Sequence, residues 1–377
     1  MKELIKKIKP RLIEIFEYLH RHPEISWQEV NTTHYIANIL HENNSKVTTF
    51  DDCTGVIGEL GSGPITVAVR ADIDALWQQV NGSFQANHSC GHDAHMTMVI
   101  GTFLLLKEIG LPQTAKCKFI FQPAEEKGTG ALKMIEKKVV DDVDYLYGVH
   151  LRPAEELPDG KAAPAILHGG AQFINGEIQG QDTHGARPHL GTNAIEIGAS
   201  LVHELNKIRL NPMIPYSVKM TRFVSGSESS NIIPGHAQFS LDLRAQTNSS
   251  LRDLVEKVRK VVQKISELYE IPIPLSLGGR TAAAEVDEEA QTIMSQAIQQ
   301  RLGENNLAHP IMTSGGEDFH FYTLKRSHLK ATMLGLGCDL KPGLHHPYMT
   351  FNREAIFSGI EILTTAVLLT FEKKKGN

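Results

Sequence analysis

"PITVAVRADID", Pro64 to Asp74, is a compact apolar run that ends in two aspartates. Its length and its Val and Ile content suit a strand buried on both faces, the kind that parallel sheets use. The pattern recurs twice. "KCKFIF" (Lys116 to Phe121) runs straight into "QPAEE" (Gln122 to Glu126), and "DYLYGVHL" (Asp144 to Leu151) carries His150 at its end. Between these runs lie two helical segments. One covers about Met96 to Ile109 and stops at Gly110 and Pro112; the other is centred on "GALKMIEKK". Strands separated by helices predict a parallel α/β sheet, and such sheets bind ligands beyond the carboxyl ends of their strands. Asp72, Glu125 with Glu126, and His150 all fall at those ends.

Further along, the texture changes. From residue 171 to 277 the order is a strand ("AQFINGEIQG"), a helix ("NAIEIGASLVHELNKIRL"), two strands ("YSVKMTRFVSG", "HAQFSLDLRAQT"), a long amphipathic helix from Ser250, and a last strand, "IPIPLSL". That βαββαβ order is the ferredoxin-like split motif. After "GGRTAAAEVDEEA" the α/β pattern resumes, with a helix over 288–302, a short strand at "ATMLGLG" and a closing helix after Asn352. The expected organisation is a discontinuous first domain, 1–170 with 278–377, and an inserted domain, 171–277. The fold class is therefore α/β: a mixed, largely parallel sheet flanked by helices, with an inserted α+β domain.

Bulk properties exclude several functions. The chain has 377 residues, 41% hydrophobic and 21% charged, enough to bury a full core. Its net charge of -5 and the absence of a long single-sign run before the C-terminal lysines point away from nucleic acid and acidic membranes. At the N-terminus Leu12, Ile15, Phe16 and Leu19 recur at helical spacing, without the apolar segment and cleavage site of a secretory signal. No uninterrupted apolar run reaches the roughly 18 residues of a spanning helix. A soluble, cytoplasmic protein is expected, and four cysteines (Cys53, Cys90, Cys117, Cys338) are too sparse for a disulfide framework.

The chemistry concentrates in "HSCGHDAH", His88 to His95, at the entry to a helix. Cys90 and His92 could form a thiol nucleophile with its base, because a helix N-terminus favours a thiolate. They could instead be half of a metal site, since Glu126 and His150 would add carboxylate and imidazole to sulfur. Asp93 could also simply cap the helix while the histidines cover its polar end. Ligand-type residues at successive strand ends favour the metal. In "QPAEEKGTG" adjacent residues of an extended segment point opposite ways, so one glutamate can bind metal while the other faces a water. Arg244, ending a strand of the inserted domain, could take a substrate carboxylate, with a surface ion pair as the plainer expectation.

Nine segments, "HRHPEIS", "RADIDAL", "SCGHDAHMTM", "FQPAEE", "GVHL", "HGARPH", "SNIIP", "GGEDFHFY" and "LHHPYMTFN", occur in order along almost the whole chain. Together they resemble the aminoacylase and carboxypeptidase-like amidohydrolases, co-catalytic metallopeptidase relatives that include hippurate and indoleacetyl-amino-acid hydrolases. The resemblance implies two divalent ions, manganese or zinc with cobalt or nickel as further candidates, held by Cys90, His92, Glu126, His150 and His345. It implies Glu125 as general base, Asp72 orienting a ligand, His184 reaching the scissile carbonyl, often in a neighbouring subunit, and Asn231 holding substrate. It also implies an inserted domain that serves as lid and dimerisation surface, hence a homodimer. The expected reaction is hydrolysis of N-acyl amino acids or similar small amides. A carboxypeptidase or dipeptidase, or a deacetylase of an N-acetylated intermediate, would use the same machinery. From other classes, a non-hydrolytic binding protein for amino-acid derivatives and a thiol hydrolase using Cys90 remain as alternatives.

His88 and His95 are expected to be solvated or packed, and His346 to lie at the surface or behind a ligand; His189 suits a turn about as well as catalysis, and Glu317 in "GGEDF" is a minor candidate near the site. One departure from the family pattern concerns "WQQVNGSFQANHS", a short connection that begins with Trp77 where relatives usually carry a longer one.

Overall fold

The computed structural model describes residues 1–375. They divide into two compact units: Met1–Leu167, Glu285–Met312 and the chain from Asp318 onward form the first, and His168–Ala284 with Thr313–Glu317 the second.

In the first unit the strand Ile65–Asp72 is buried from Thr66 onward. It lies inside a seven-stranded sheet ordered Lys46–Thr49, Val56–Gly61, Ala115–Gln122, Ile65–Asp72, Tyr145–Pro153, Lys330–Leu340, Ala162–Ala163. The middle four strands are parallel and the edge pairings antiparallel. The sheet is thus mixed and largely parallel. Parallel register sets Asp72 opposite Gln122 and Gly335 opposite His150, so the carboxyl ends of these strands share one edge. The helix His92–Ile109 is buried around most of its circumference, the mark of an element inside a core rather than on it.

The helix over Ala355–Lys374 is long and apolar enough to cross a membrane by length and composition, and 67% of its apolar window is buried. It packs on His92–Ile109 and Glu288–Leu302 as a core helix. The sequence expectation passed over it because Ser358, Gly359 and Glu361 interrupt the run while leaving its mean apolar.

Three further differences have local causes. Residues 76–87 form a β-hairpin, Leu76–Val80 paired with Ser83–Asn87, turning at Asn81 and Gly82 with φ of 51° and 83°. An Asn-Gly pair suits a turn that needs two positive φ values. Lys330–Leu340 is an eleven-residue inner strand rather than a short one. The expected boundary at 277 falls inside a strand, Leu275–Thr281, which starts late because Pro272 and Pro274 have no N–H to donate.

The second unit has a four-stranded antiparallel sheet ordered Tyr216–Ser225, His236–Ala245, Gly170–Gln179, Leu275–Thr281. Alternate residues of His236–Ala245 (Ala237, Phe239, Leu241, Leu243, Ala245) enter its core. Two helices cover that face, Ala194–Leu205 and Asn248–Tyr269, capped by the side chains of Asn193 and Thr247. With its strand–helix–strand–strand–helix–strand order, the unit is the ferredoxin-like motif.

Candidate active site

Gly91 makes the Cys90–His92 turn. Its φ is 85°, and a β-carbon there would lie 2.9 Å from Leu151 Cδ1, so only glycine fits between the two candidate ligands. His92 donates its Nδ1–H to the Asp74 carbonyl (2.8 Å), and His150 donates its Nδ1–H to the Leu151 carbonyl (2.7 Å). Carbonyls only accept, so in both rings the atom left to titrate or to bind a cation is Nε2. These Nε2 atoms face one cluster. Cys90 Sγ lies 3.6 Å from His150 Nε2 and 3.3 Å from His345 Nε2. Glu126 Oε1 lies 3.5 Å from His345 Nε2 and 3.9 Å from His92 Nε2.

The donor set fits a bound cation. His92 Nε2 and Glu126 Oε1 are buried without a hydrogen-bond partner, at a cost of about 1–3 kcal/mol each unless something satisfies them. Asp72, Asp74 and Asp318 are fully buried close by, with the Arg70 guanidinium bonded to two of them, so negative charge is in surplus. Burial, then the Glu126 charge, pushes the Cys90 thiol well up, unlike the low-pKa thiolate of a resting nucleophile. A thiol held this way sheds its proton when a cation binds. Burial also raises the Glu126 carboxyl to about 7 against the pull of His92. Burial keeps His150 well below its ordinary value and His345 below it, leaving both neutral, as ligands must be. At His92 burial is outweighed by the Asp72 charge, which holds the ring well above its ordinary value, so His92 sheds a proton when a cation binds.

The two glutamates do not sit in an extended segment. Ala124 has φ 50°, and Glu125–Glu126 occupy a turn in which both backbone N–H groups donate to the Asp74 carboxylate, at 3.2 and 3.1 Å. Ser26 Oγ adds a third bond at 2.6 Å. The chain then passes so close beneath the turn that a β-carbon on Gly130 would meet the Pro123 carbonyl at 1.6 Å. Asp74 therefore couples the His92 backbone contact to both glutamates, a role the sequence reading did not give it.

Asp72 accepts a hydrogen bond from His95 rather than from one of the candidate ligands. Its Oδ1 accepts from His95 Nδ1 (2.8 Å), His95 Nε2 accepts the Leu151 N–H (3.0 Å), and His92 Nε2 lies 3.7 Å from Oδ2. Asp72 thus fixes the strand beside His150 through His95, which is fully buried and hydrogen-bonded at both nitrogens. His88 is also buried, with both ring nitrogens lacking a hydrogen-bond partner, and burial lowers it to about 4. His346 is exposed as expected.

In the second unit His184 and Asn231 are neighbours. Thr183–His184 pairs with Ile232–Ile233, and Gly185 N donates to the Asn231 carbonyl at 2.7 Å. The Ala186 N–H donates to His184 Nδ1 (3.1 Å), which places the ring proton on the exposed side chain's Nε2. Arg244 is half exposed, with Nε 3.2 Å from both Asp242 carboxylate oxygens and Nη1 donating to the Ser314 carbonyl at 3.2 Å.

Chelation should lower the thermal midpoint of the protein, and manganese or zinc should restore it. At a free metal concentration a hundredfold above Kd, the expected gain is about 2.7 kcal/mol. A midpoint unmoved by complete metal removal and re-addition would count against a metal at the Cys90–Glu126 cluster.

Imidazole, thiol and carboxylate donors gathered at the carboxyl ends of parallel strands define a metal-dependent hydrolase. The chain belongs to peptidase family M20/M25/M40, whose sequence profile matches residues 68–369. It is 31% identical over 283 residues to an N-acyl-L-amino acid amidohydrolase of Geobacillus stearothermophilus, covering 71% of this chain and 76% of that protein. It is 29% identical over 388 residues to an N-acetylcysteine deacetylase of Bacillus subtilis, covering 98% and 99%. Among solved structures, a Bacillus subtilis protein described as a dinuclear metal binding peptidase of the M20 family superposes with a TM-score of 0.83 at 27% identity, over 97% of this chain and 99% of the other. The protein is a metal-dependent hydrolase of amide bonds.

Proposed function

We propose that the protein hydrolyses N-acyl amino acids with Glu125 as the general base. The observation that carries this reading is the convergence of three imidazole Nε2 atoms on Cys90 Sγ and Glu126 Oε1, next to a glutamate anchored on the same Asp74 carboxylate. Cys90, His92, Glu126, His150 and His345 would hold two divalent ions, manganese or zinc, with cobalt or nickel as further candidates. When bound, the ions polarise the carbonyl and lower the pKa of water toward neutrality. Glu125 takes the proton of the attacking water and delivers it to the leaving amine nitrogen. His184 donates its Nε2–H to the carbonyl oxygen as negative charge develops there, and Asp72 steadies the strand beside His150 through His95. Asn231 and Arg244 bind the substrate, Arg244 at its carboxylate. A homodimer formed through the second unit and a cytoplasmic location belong to the same reading.

The names of the relatives support an acyl group on an amino acid as the substrate class. Hydrolysis rates on N-acetyl, N-benzoyl and dipeptide substrates, each with manganese, zinc and cobalt, test it. The reading expects N-acyl amino acids to be cleaved at least tenfold faster than dipeptides, roughly 1.4 kcal/mol of discrimination. A reversed ratio would make the protein a carboxypeptidase or dipeptidase. Tight binding without turnover in the metal-loaded protein would make it a binding protein.

A further inference from the structure

We infer that Gln78, on the hairpin Leu76–Val80/Ser83–Asn87, is a positioning residue that holds His345 over Cys90 and Glu126. The inference rests on the metal reading above for its consequence, though not for its geometry.

His345 arrives from a loop 255 residues beyond Cys90, with φ 64°, a left-handed conformation that a side chain disfavours and that surrounding contacts must impose. The hairpin supplies those contacts. Gln78 Nε2 donates to the His345 carbonyl at 2.7 Å, while Gln78 Oε1 accepts from Ser89 Oγ (2.8 Å) and Asn87 Nδ2 (3.1 Å). Asn87 Nδ2 also donates to the Pro347 carbonyl (3.0 Å), and His345 N donates to the Ser89 carbonyl (2.7 Å). At the hairpin tip the Tyr348 hydroxyl bonds Asn81.

One amide thus reads both arms of the cluster: its oxygen holds the Ser89–Cys90 arm and its nitrogen holds the His345 arm. Both ends of a primary amide are used, so its nearest isostere should do half the work. Glutamate at position 78 keeps two acceptor bonds and loses the donor to His345. Gln79, next along the strand, points to the other face and bonds only the Gly82 carbonyl at the turn (3.4 Å), which makes it the control.

Two readouts test the role. The first is manganese or zinc affinity by competition with a chromophoric chelator. Gln78→Leu should weaken the weaker of the bound ions about tenfold, Gln78→Glu less, and Gln79→Leu not at all, at the scale of one or two lost hydrogen bonds. The second is the rate at which iodoacetamide alkylates Cys90 in metal-free protein, followed by peptide mass mapping. His345 Nε2 sits 3.3 Å from that sulfur, so freeing its loop in Gln78→Leu should speed alkylation about tenfold, with the same ranking of variants. If wild type binds no metal, the metal reading fails and the alkylation series still decides the role of Gln78. Wild-type values for Gln78→Leu and Gln78→Glu in both measurements would overturn the inference.

Discussion

Glu125→Gln is expected to reduce turnover by roughly 10²–10⁴-fold while leaving metal content and thermal midpoint at wild-type values. The substitution is isosteric and removes only the ability to accept a proton. The backbone N–H of residue 125 still reaches Asp74 Oδ1, so the turn keeps its shape and Glu126 stays in place. The Glu125 carboxylate lies within 4.8 Å of the His92 and Glu126 ligand atoms, so metal content is the measurement that separates base from ligand. Metal analysis alongside kcat on the best amide substrate separates loss of a base from loss of a ligand. Turnover above a tenth of wild type would place the base elsewhere, and metal lost in parallel with activity would reassign Glu125 as a ligand.

Arg70→Met should cost about 3–5 kcal/mol of stability, the scale of breaking a buried charge network from one side. Arg70 is fully buried, and its guanidinium donates to Gln122 Oε1 (2.9 Å), Asp72 Oδ2 (2.8 Å) and Asp318 Oδ1 (3.0 Å). Asp72 is ionised in this setting. Burial alone would raise the carboxyl, but the His92 ring, the His95 Nδ1–H and the Arg70 guanidinium that face it hold it well below the carboxylate range. Methionine fills the volume and leaves two carboxylates in the interior with no guanidinium. Set against a typical 5–15 kcal/mol for a folded domain, the variant would lose about a fifth to all of its stability. Arg70→Lys keeps the charge without the fork and should lose less. Urea unfolding of the metal-loaded proteins measures both, and a loss under about 1 kcal/mol for methionine would mean that these carboxyls shed their charge instead of needing the arginine.

The sheet was legible because buried strands of β-branched and aromatic residues stand between helices, and their ends carried the candidate ligands Glu126 and His150. What stayed hidden depends on conformations or partners that a local pattern does not encode. Ala124 gives no sign that it turns left-handed, so Glu125 and Glu126 were read as extended. Asp72 and Asp74 look alike in "RADID", and only the turn at 125–126 shows which of them receives its N–H groups. In "GGEDF" the sequence reading named Glu317 and passed over Asp318, which meets Arg70, 248 residues away. His95 passed as a bystander because its partners are Asp72 and the backbone of Leu151. The hairpin did carry a signal in Asn81–Gly82. Its flanks, "WQQV" and "SFQAN", lack the apolar alternation that would have made the signal plain.

Connectivity also sets the order in which this site is born. Ribosomes add about 5–20 residues per second, so the 255 positions between Cys90 and His345 separate them by roughly 13–50 s of synthesis. When synthesis has passed Ala284, the second unit is complete except for Thr313–Glu317, while the first still lacks Lys330–Leu340 and the helix that begins at Ala355. The nascent chain thus carries a nearly finished insert inside an unfinished host. The Cys90 sulfur lacks its His345 imidazole neighbour until those 255 further residues have been added. The full donor set can therefore assemble only after Lys330–Leu340, the strand that precedes His345, has been synthesised.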